Sequence, residues 1–143
     1  MSLSKGLEHL GVHTFLAPSH VKRVYFEYLV RPDCERLGLS SAQLIEALNA
    51  EGCQVSLPRY PLLHQQPFFV EKAYLDVMRS SSGAPVPDYA AVSLPFTEKV
   101  NAGMLKLPSF PWAEKELLDQ YVLAFAKVLG HASSIANRLS SLR

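Results

Sequence analysis

The sequence predicts an α+β domain, a small antiparallel or mixed sheet with helices packed on it, and three observations carry this. Val21 to Arg31 is rich in β-branched and aromatic residues and stops at Pro32, the pattern of a strand. An apolar stripe runs from Ser40 to Gly52 and leads straight into the alternating Cys53-Gln54-Val55-Ser56-Leu57, a helix followed by a second strand. The longest helical periodicity begins after Pro111. Strand, helix and strand in this order suit a sheet covered by helices on one face.

Taken along the chain, residues 1–20 read as a linker or lead-in, because Gly11 and Pro18 break a weak periodicity. Met1-Ser2-Leu3 reads as a cloning remnant, which would make the chain an excised part of a longer polypeptide. In the first strand Val24, Phe26, Tyr28 and Val30 should line one face, with Tyr25, Glu27 and Leu29 on the other. Ser40 with Gln43 three residues on makes a capping box, each side chain taking a free backbone donor. Leu44, Ile45 and Leu48 form the stripe, and Gly52 is the left-handed stop. Glu71 to Met78 suits a short helix with Tyr74, Leu75 and Met78 inward. Ser80 to Asp88 is a connection of serines, glycine and prolines; with no strand before it and no Lys-Ser/Thr after it, it is no phosphate-binding loop.

A second helix start is expected over Leu94 to Val100 with Thr97 as cap, then an extended Met104 to Phe110. Pro111 and Glu114 open the last helix, where a missing donor is harmless and an acid faces the positive end. Leu117, Tyr121, Phe125 and Val128 recur at helical spacing, broadened by Leu118, Val122 and Leu129. Trp112, Tyr121 and Phe125 are read as core rather than as a base-stacking surface. Gly130 ends or frays the helix. In the extension 131–143, Ile135, Leu139 and Leu142 either prolong a helix or meet a partner.

The stretch best suited to chemistry is Leu57-Pro58-Arg59-Tyr60-Pro61-Leu62-Leu63-His64-Gln65-Gln66-Pro67-Phe68-Phe69. Its prolines fix φ and push the residues before them toward extended backbone, so a stiff loop is expected instead of a helix or central strand. His64 stands out, since an imidazole among polar groups can donate or accept a proton near neutral pH. Tyr60, Gln65 and Gln66 flank it.

At 143 residues and 48% hydrophobic, the chain suits one globular domain, with 21–130 as its body. A net charge of +1 and scattered basic residues speak against a nucleic-acid partner. No signal peptide opens the chain, and its apolar runs fall short of the roughly 20 residues that span a bilayer. A cytoplasmic location without a membrane partner is expected. Cys34 and Cys53 read as reduced thiols. Neither has the helix-start setting that would make it a nucleophile with His64 as base. His9, His13 and His20 do not make a metal set, with Gly11 among them and no acid to complete it.

Several motifs follow one another in a telling order. They are Tyr28-Leu29-Val30-Arg31, a helix ending Ala50-Glu51-Gly52, and Tyr60-Pro61-Leu62-Leu63-His64-Gln65-Gln66-Pro67-Phe68-Phe69. After them come Leu94-Pro95-x-Thr97-Glu98, Leu105-x-Leu107-Pro108-Ser109-Phe110-Pro111, and a last helix with Tyr121, Phe125 and Lys127-Val128. Over roughly Val21 to Leu129 this order resembles the C-terminal small domain of the DegT/StrS-type aminotransferases. The resemblance implies the small domain of an aspartate-aminotransferase-like, fold type I enzyme. Such enzymes use pyridoxal phosphate to place an amine, from glutamate or glutamine, on nucleotide-activated keto-sugars or keto-cyclitols in amino-sugar biosynthesis. It implies that His64, then Tyr60, Gln65 and Gln66, face the substrate.

The resemblance further implies a homodimeric intact enzyme. Its large domain would be this chain's partner and would supply the Schiff-base lysine and the acid on the pyridinium nitrogen. Neither motif is found here, and Lys72, Lys99 and Lys106 lie where that family has no cofactor lysine. No catalytic, cofactor-binding or metal residue is therefore assigned, no pyridoxal phosphate is expected on this chain, and the chain alone is not expected to transaminate. The alternative is a stand-alone binding or assembly module of the same fold.

Overall fold

The computed structural model describes residues 2–77 and 88–140. Met78, the 80–87 part of the expected connection, Leu142 and the side chain of Leu139 lie outside the described residues. The chain divides into two compact units, Met1–Pro58 with Ala102–Arg143, and Arg59–Asn101.

In the first unit β1 (Tyr28–Val30) pairs antiparallel with β2 (Leu105–Leu107), Tyr28 opposite Leu107 and Val30 opposite Leu105. Arg31 and His13 exchange backbone hydrogen bonds of 2.8 and 3.0 Å, and Lys106 and Ser56 exchange bonds of 2.7 and 3.0 Å. In an antiparallel ladder successive residues direct their backbone groups to opposite sides. Arg31 therefore reaches the edge of β1 away from β2, and Lys106 the edge of β2 away from β1. The order across the sheet is His13, β1, β2, Ser56, all antiparallel.

The first strand is shorter than its sequence suggests. Tyr28 and Val30 are buried, but Val24 is 85% and Phe26 71% exposed. Pairing ends because the partner runs out. Beyond Leu107 come Pro108 and then Phe110 at φ 51°, a left-handed conformation that carries the backbone out of the extended region. The alternation expected over Cys53 to Leu57 survives as burial only to Ser56, with Cys53 and Val55 inside and Gln54 and Ser56 outside; Leu57 is 55% exposed, and only Ser56 pairs.

Helices cover this sheet. The segment expected as a lead-in starts with α1 (Leu3–His9), capped by Ser2, with Leu3 and Leu7 buried at i,i+4 spacing beside Val12. The Glu8 carboxylate accepts from both Thr14 N–H at 2.7 Å and Thr14 Oγ1 at 2.8 Å, tying the end of α1 to the chain that follows. A one-turn α2 (Cys34–Leu37) is capped by Asp33 and closed by Gly38 at φ 66°. Its turn of helix was not expected, and it places Cys34 at a helix start where none was read for either cysteine. The helix α3 (Ser41–Ala50) has both halves of the capping box, buries Leu44 and Leu48, and is followed by Gly52 at φ 88°.

The core of the unit closes on α7 (Lys115–Gly130), against which α1 and α3 pack. Tyr121, Ala124, Phe125 and Val128 are buried, with Leu118, Val122 and Leu129 packed beside them. Trp112, read as core, is 91% exposed, because the helix begins at Lys115 and leaves Trp112 in the turn before it. Leu117, in the first turn, is 42% exposed. After His131 the chain continues as α8 (Ala132–Ser140), where Ala132 is buried and Ile135 packs on the core, so Ile135 does prolong helix.

The second unit is made of short turns. A 3-10 turn covers Leu63–Gln65, followed by α4 (Pro67–Val70) and α5 (Tyr74–Val77). A second 3-10 turn spans Tyr89–Ala91, and α6 (Pro95–Ala102) comes last. The helix expected from Glu71 starts only at Tyr74, since Lys72 at φ 61° is incompatible with continued right-handed helix. Tyr74 is 2% exposed and Leu75, expected inward, is 46% exposed. Phe69, Tyr74 and Tyr89 form a small aromatic core, Tyr89 lying 5.1 Å from Phe69 and 5.0 Å from Tyr74 in edge-on contacts. Because Pro95 occupies the first position of α6, Thr97 falls inside the helix and is not its cap.

Candidate functional site

The proline-rich stretch is ordered by its own backbone. Leu62 and Gln66 are extended, at ψ 126° and 145°, and Gln66 stands just before Pro67 as the steric rule for such residues requires. Between them the chain makes a single 3-10 turn, with Gln65 N–H donating to Leu62 O at 3.1 Å and Gln66 N–H to Leu63 O at 3.2 Å. Pro67 then opens α4, a one-turn helix where only a loop was expected, because its fixed φ suits the first helical position. Phe69 and Val70 both donate back to Gln66 O, at 2.9 and 3.0 Å. The loop is thus a 3-10 turn joined to a turn of α-helix, with Gln66 as the hinge between them.

That geometry turns His64 inward. Its side chain is 9% exposed, and Nε2 lies 3.0 Å from Glu98 Oε1 on α6. The same Glu98 oxygen accepts the Leu94 N–H at 3.0 Å, one of the donors left free at the start of α6. The Leu94 N–H and, after it, the His64 bond hold the Glu98 carboxyl below the ordinary glutamate value. One carboxylate thus caps a helix and holds a histidine 34 residues away in sequence.

Tyr60 is 63% exposed, Gln65 is exposed and Gln66 half-buried. No side-chain hydrogen bond among the described residues joins any of these three to the His64–Glu98 pair. The four substrate-facing candidates are therefore one inward, anchored side chain with two outward neighbours and one intermediate. Glu98 was missed as a member of this group. Its signal was Leu94-Pro95-x-x-Glu98, a proline opening a helix and an acid three residues on, in reach of the free donors.

Elsewhere the chemistry is sparse. Burial pushes the Cys53 thiol up, with Glu51 adding to it, which disfavours a nucleophilic thiolate. Cys34 Sγ lies 3.7 Å from Ser41 Oγ, and both cysteines are free thiols. Among the described residues no three His, Cys, Asp or Glu side chains converge as metal ligands. His13 Nδ1 is 3.9 Å from Glu8 Oε1, and its ring meets Phe15 edge-on at 4.6 Å. In the first unit an open groove of about 370 Å³ is lined by Asn49, Cys53, Gln54, Ser56, Lys106 and Pro108, among others. The Asn49 amide is spent on Val55, donating to its carbonyl at 3.1 Å and accepting its N–H at 2.9 Å.

A pyridoxal phosphate site needs a lysine in a sheltered cleft, an acid for the ring nitrogen and donors for the phosphate. Four of the lysines can be placed against that requirement. Lys72 and Lys127 are exposed and paired with Asp88 and Glu51, at 3.2 and 2.7 Å. Lys115 is exposed and paired with Asp119, and Lys106 stands 3.9 Å from Glu27. Of these four, Lys106 lines the groove of the first unit, and its amine is engaged by Glu27.

Among the described residues no helix is long and apolar enough to cross a membrane. No protein-family model and no curated protein matches this chain.

Proposed function

We propose that this chain acts as the substrate-side small domain of a pyridoxal-phosphate-dependent aminotransferase for keto-sugars or keto-cyclitols, of the DegT/StrS type it resembles. On this reading a partner large domain carries the cofactor and its lysine, and the small domain closes one side of the cleft with residues 60–69. The observation that carries the reading is the ordered turn pair of the proline-rich loop, which holds His64 by one ring nitrogen while Tyr60 and Gln65 remain open to a ligand. Binding chemistry placed on a loop fixed by its scaffold is the usual arrangement. The α+β character of the first unit is compatible with such a domain.

The test is a titration of the chain, labelled for NMR, with UDP-4-keto-6-deoxyglucose and with scyllo-inosose. Amides of residues 60–69 are expected to shift first, and the shifts should shrink in His64→Ala. If millimolar probe leaves that loop unmoved while shifting residues of the first unit, the substrate-facing assignment is wrong. A separate arm adds pyridoxal phosphate and borohydride; stoichiometric trapping at one lysine would defeat the assignment of the cofactor to another domain.

A binding or assembly module of the same fold is the second reading. It is favoured by the exposed apolar side chains Val24, Phe26 and Trp112 in the first unit and Phe96 in the second, each more than two-thirds exposed. Sedimentation separates the two. Self-association through these residues without any response to either keto compound would select the module.

A further inference from the structure

We propose that Glu98 is the positioning residue for His64, keeping the proton of the neutral imidazole on Nε2 and leaving Nδ1 as the acceptor for a ligand hydroxyl. The inference rests on the reading of residues 60–69 as substrate-facing and adds which atom meets the substrate and what it must be offered. A carboxylate has no proton to give, so at a separation of 3.0 Å from Glu98 Oε1 the His64 Nε2 must donate. Glu98 is kept ionised by two donors on one oxygen, Leu94 N–H and the imidazole. The other ring nitrogen is in a different position. Among the described residues Nδ1 has no partner, and it is not among the buried polar atoms sealed from solvent without one, although the side chain as a whole is 9% exposed.

A nitrogen lone pair that solvent reaches on a nearly covered ring accepts a hydrogen bond from whatever meets it there. The chemical class that fits is a ligand rich in hydroxyl donors, such as a sugar or cyclitol ring. A carbonyl or phosphate oxygen does not fit the neutral ring, having no proton for Nδ1. A ring fixed from behind by a carboxylate loses less orientational freedom on binding, which is the use of such a partner.

The experiment is proton–nitrogen NMR of the histidine rings in the full chain, at a pH where His64 is neutral. A slowly exchanging, low-field Nε2–H resonance is expected for His64. Glu98→Gln keeps it, because the amide oxygen can still accept from both donors. Glu98→Ala loses it while the ring resonances of Tyr74 and Tyr89 stay dispersed, an outcome a purely structural role would not give. An Nδ1–H resonance in the wild type, or an Nε2–H resonance undiminished in Glu98→Ala, overturns the proposal. If Glu98→Ala also loses the dispersed tyrosine signals, the wild type and Glu98→Gln decide: Nε2–H in both supports it and Nδ1–H in either overturns it. Scyllo-inosose is then added. Movement of the Nδ1 resonance with Nε2–H retained supports the acceptor role. A motionless His64 with Nε2–H retained overturns the substrate-facing reading and the ligand half of the proposal, but not the tautomer. A His64 that moves while carrying Nδ1–H overturns the role of Glu98 and spares the reading.

Discussion

Thr14 is buried and gives both its donors to Glu8, and that pair contributes to the acid sensitivity of the first unit. The Thr14 hydroxyl, then the Thr14 N–H, hold the Glu8 carboxyl below its ordinary value, and the His13 ring adds a smaller pull. A carboxyl depressed in the folded state contributes stability that is complete above the unfolded value, about 4.5, and fades as pH falls through the lower folded value. Thr14→Val is predicted to remove about 1 kcal/mol at neutral pH, the low end for a bond to a charged group because Glu8 is partly in solvent. It should also flatten the acid limb of the stability curve. Urea unfolding at neutral pH and at pH below the Glu8 value measures both; an equal loss at the two would contradict the assignment. The same residue scale is where the sequence was least legible. Glu8 with Thr14 and His64 with Glu98 are contacts made by folding, and spacing along the chain does not announce them. His64 was legible as a polar residue on a stiff loop, but its inward turn was not, because a 3-10 turn between two extended residues leaves no periodic trace.

At the scale of elements, local signals served well where the chain satisfies its own backbone. The Ser40–Gln43 capping box forms with both bonds, Ser40 N–H to Gln43 Oε1 at 2.8 Å and Gln43 N–H to Ser40 Oγ at 3.3 Å. Ser40→Ala is predicted to cost about 1 kcal/mol, read as a lower thermal midpoint with α3 amides exchanging faster. No change in either would mean that α3 is fixed by packing alone. Signals failed where a partner was needed. Val21 to Phe26 has strand composition and no strand, because β2 is three residues long and offers nothing to pair with. The reverse holds at residues 1–20, where two leucines four apart are too few to announce a helix that depends on α7 for its stability. Trp112 was misplaced for a related reason: a large aromatic beside a helix start is core only if the helix includes it.

At the scale of the molecule, each unit has an apolar centre of its own. In Met1–Pro58 with Ala102–Arg143 it gathers around Phe125, Val30 and Leu105, all without solvent exposure. In Arg59–Asn101 it is the trio Phe69, Tyr74 and Tyr89. Tyr74→Ala is predicted to strip amide protection from residues 63–70 and 95–101 while α3 and α7 keep theirs, as measured by hydrogen exchange. Uniform loss across both units would show instead that they unfold together. The α+β class was legible as a whole, since alternation and helical repeat are whole-segment properties. The division into units was not, because nothing in composition separates a small aromatic cluster from the main core.

Phe110 holds a backbone torsion that glycine would take without penalty, yet its ring stands edge-on to Tyr121 at 4.9 Å and to Tyr28 at 6.5 Å. The joint between sheet and last helix is thus clamped by an aromatic anchor that forces an awkward backbone. Softening the joint with glycine would ease the torsion and cut the anchor in the same stroke, so this corner of the protein has no simple route to greater thermal endurance.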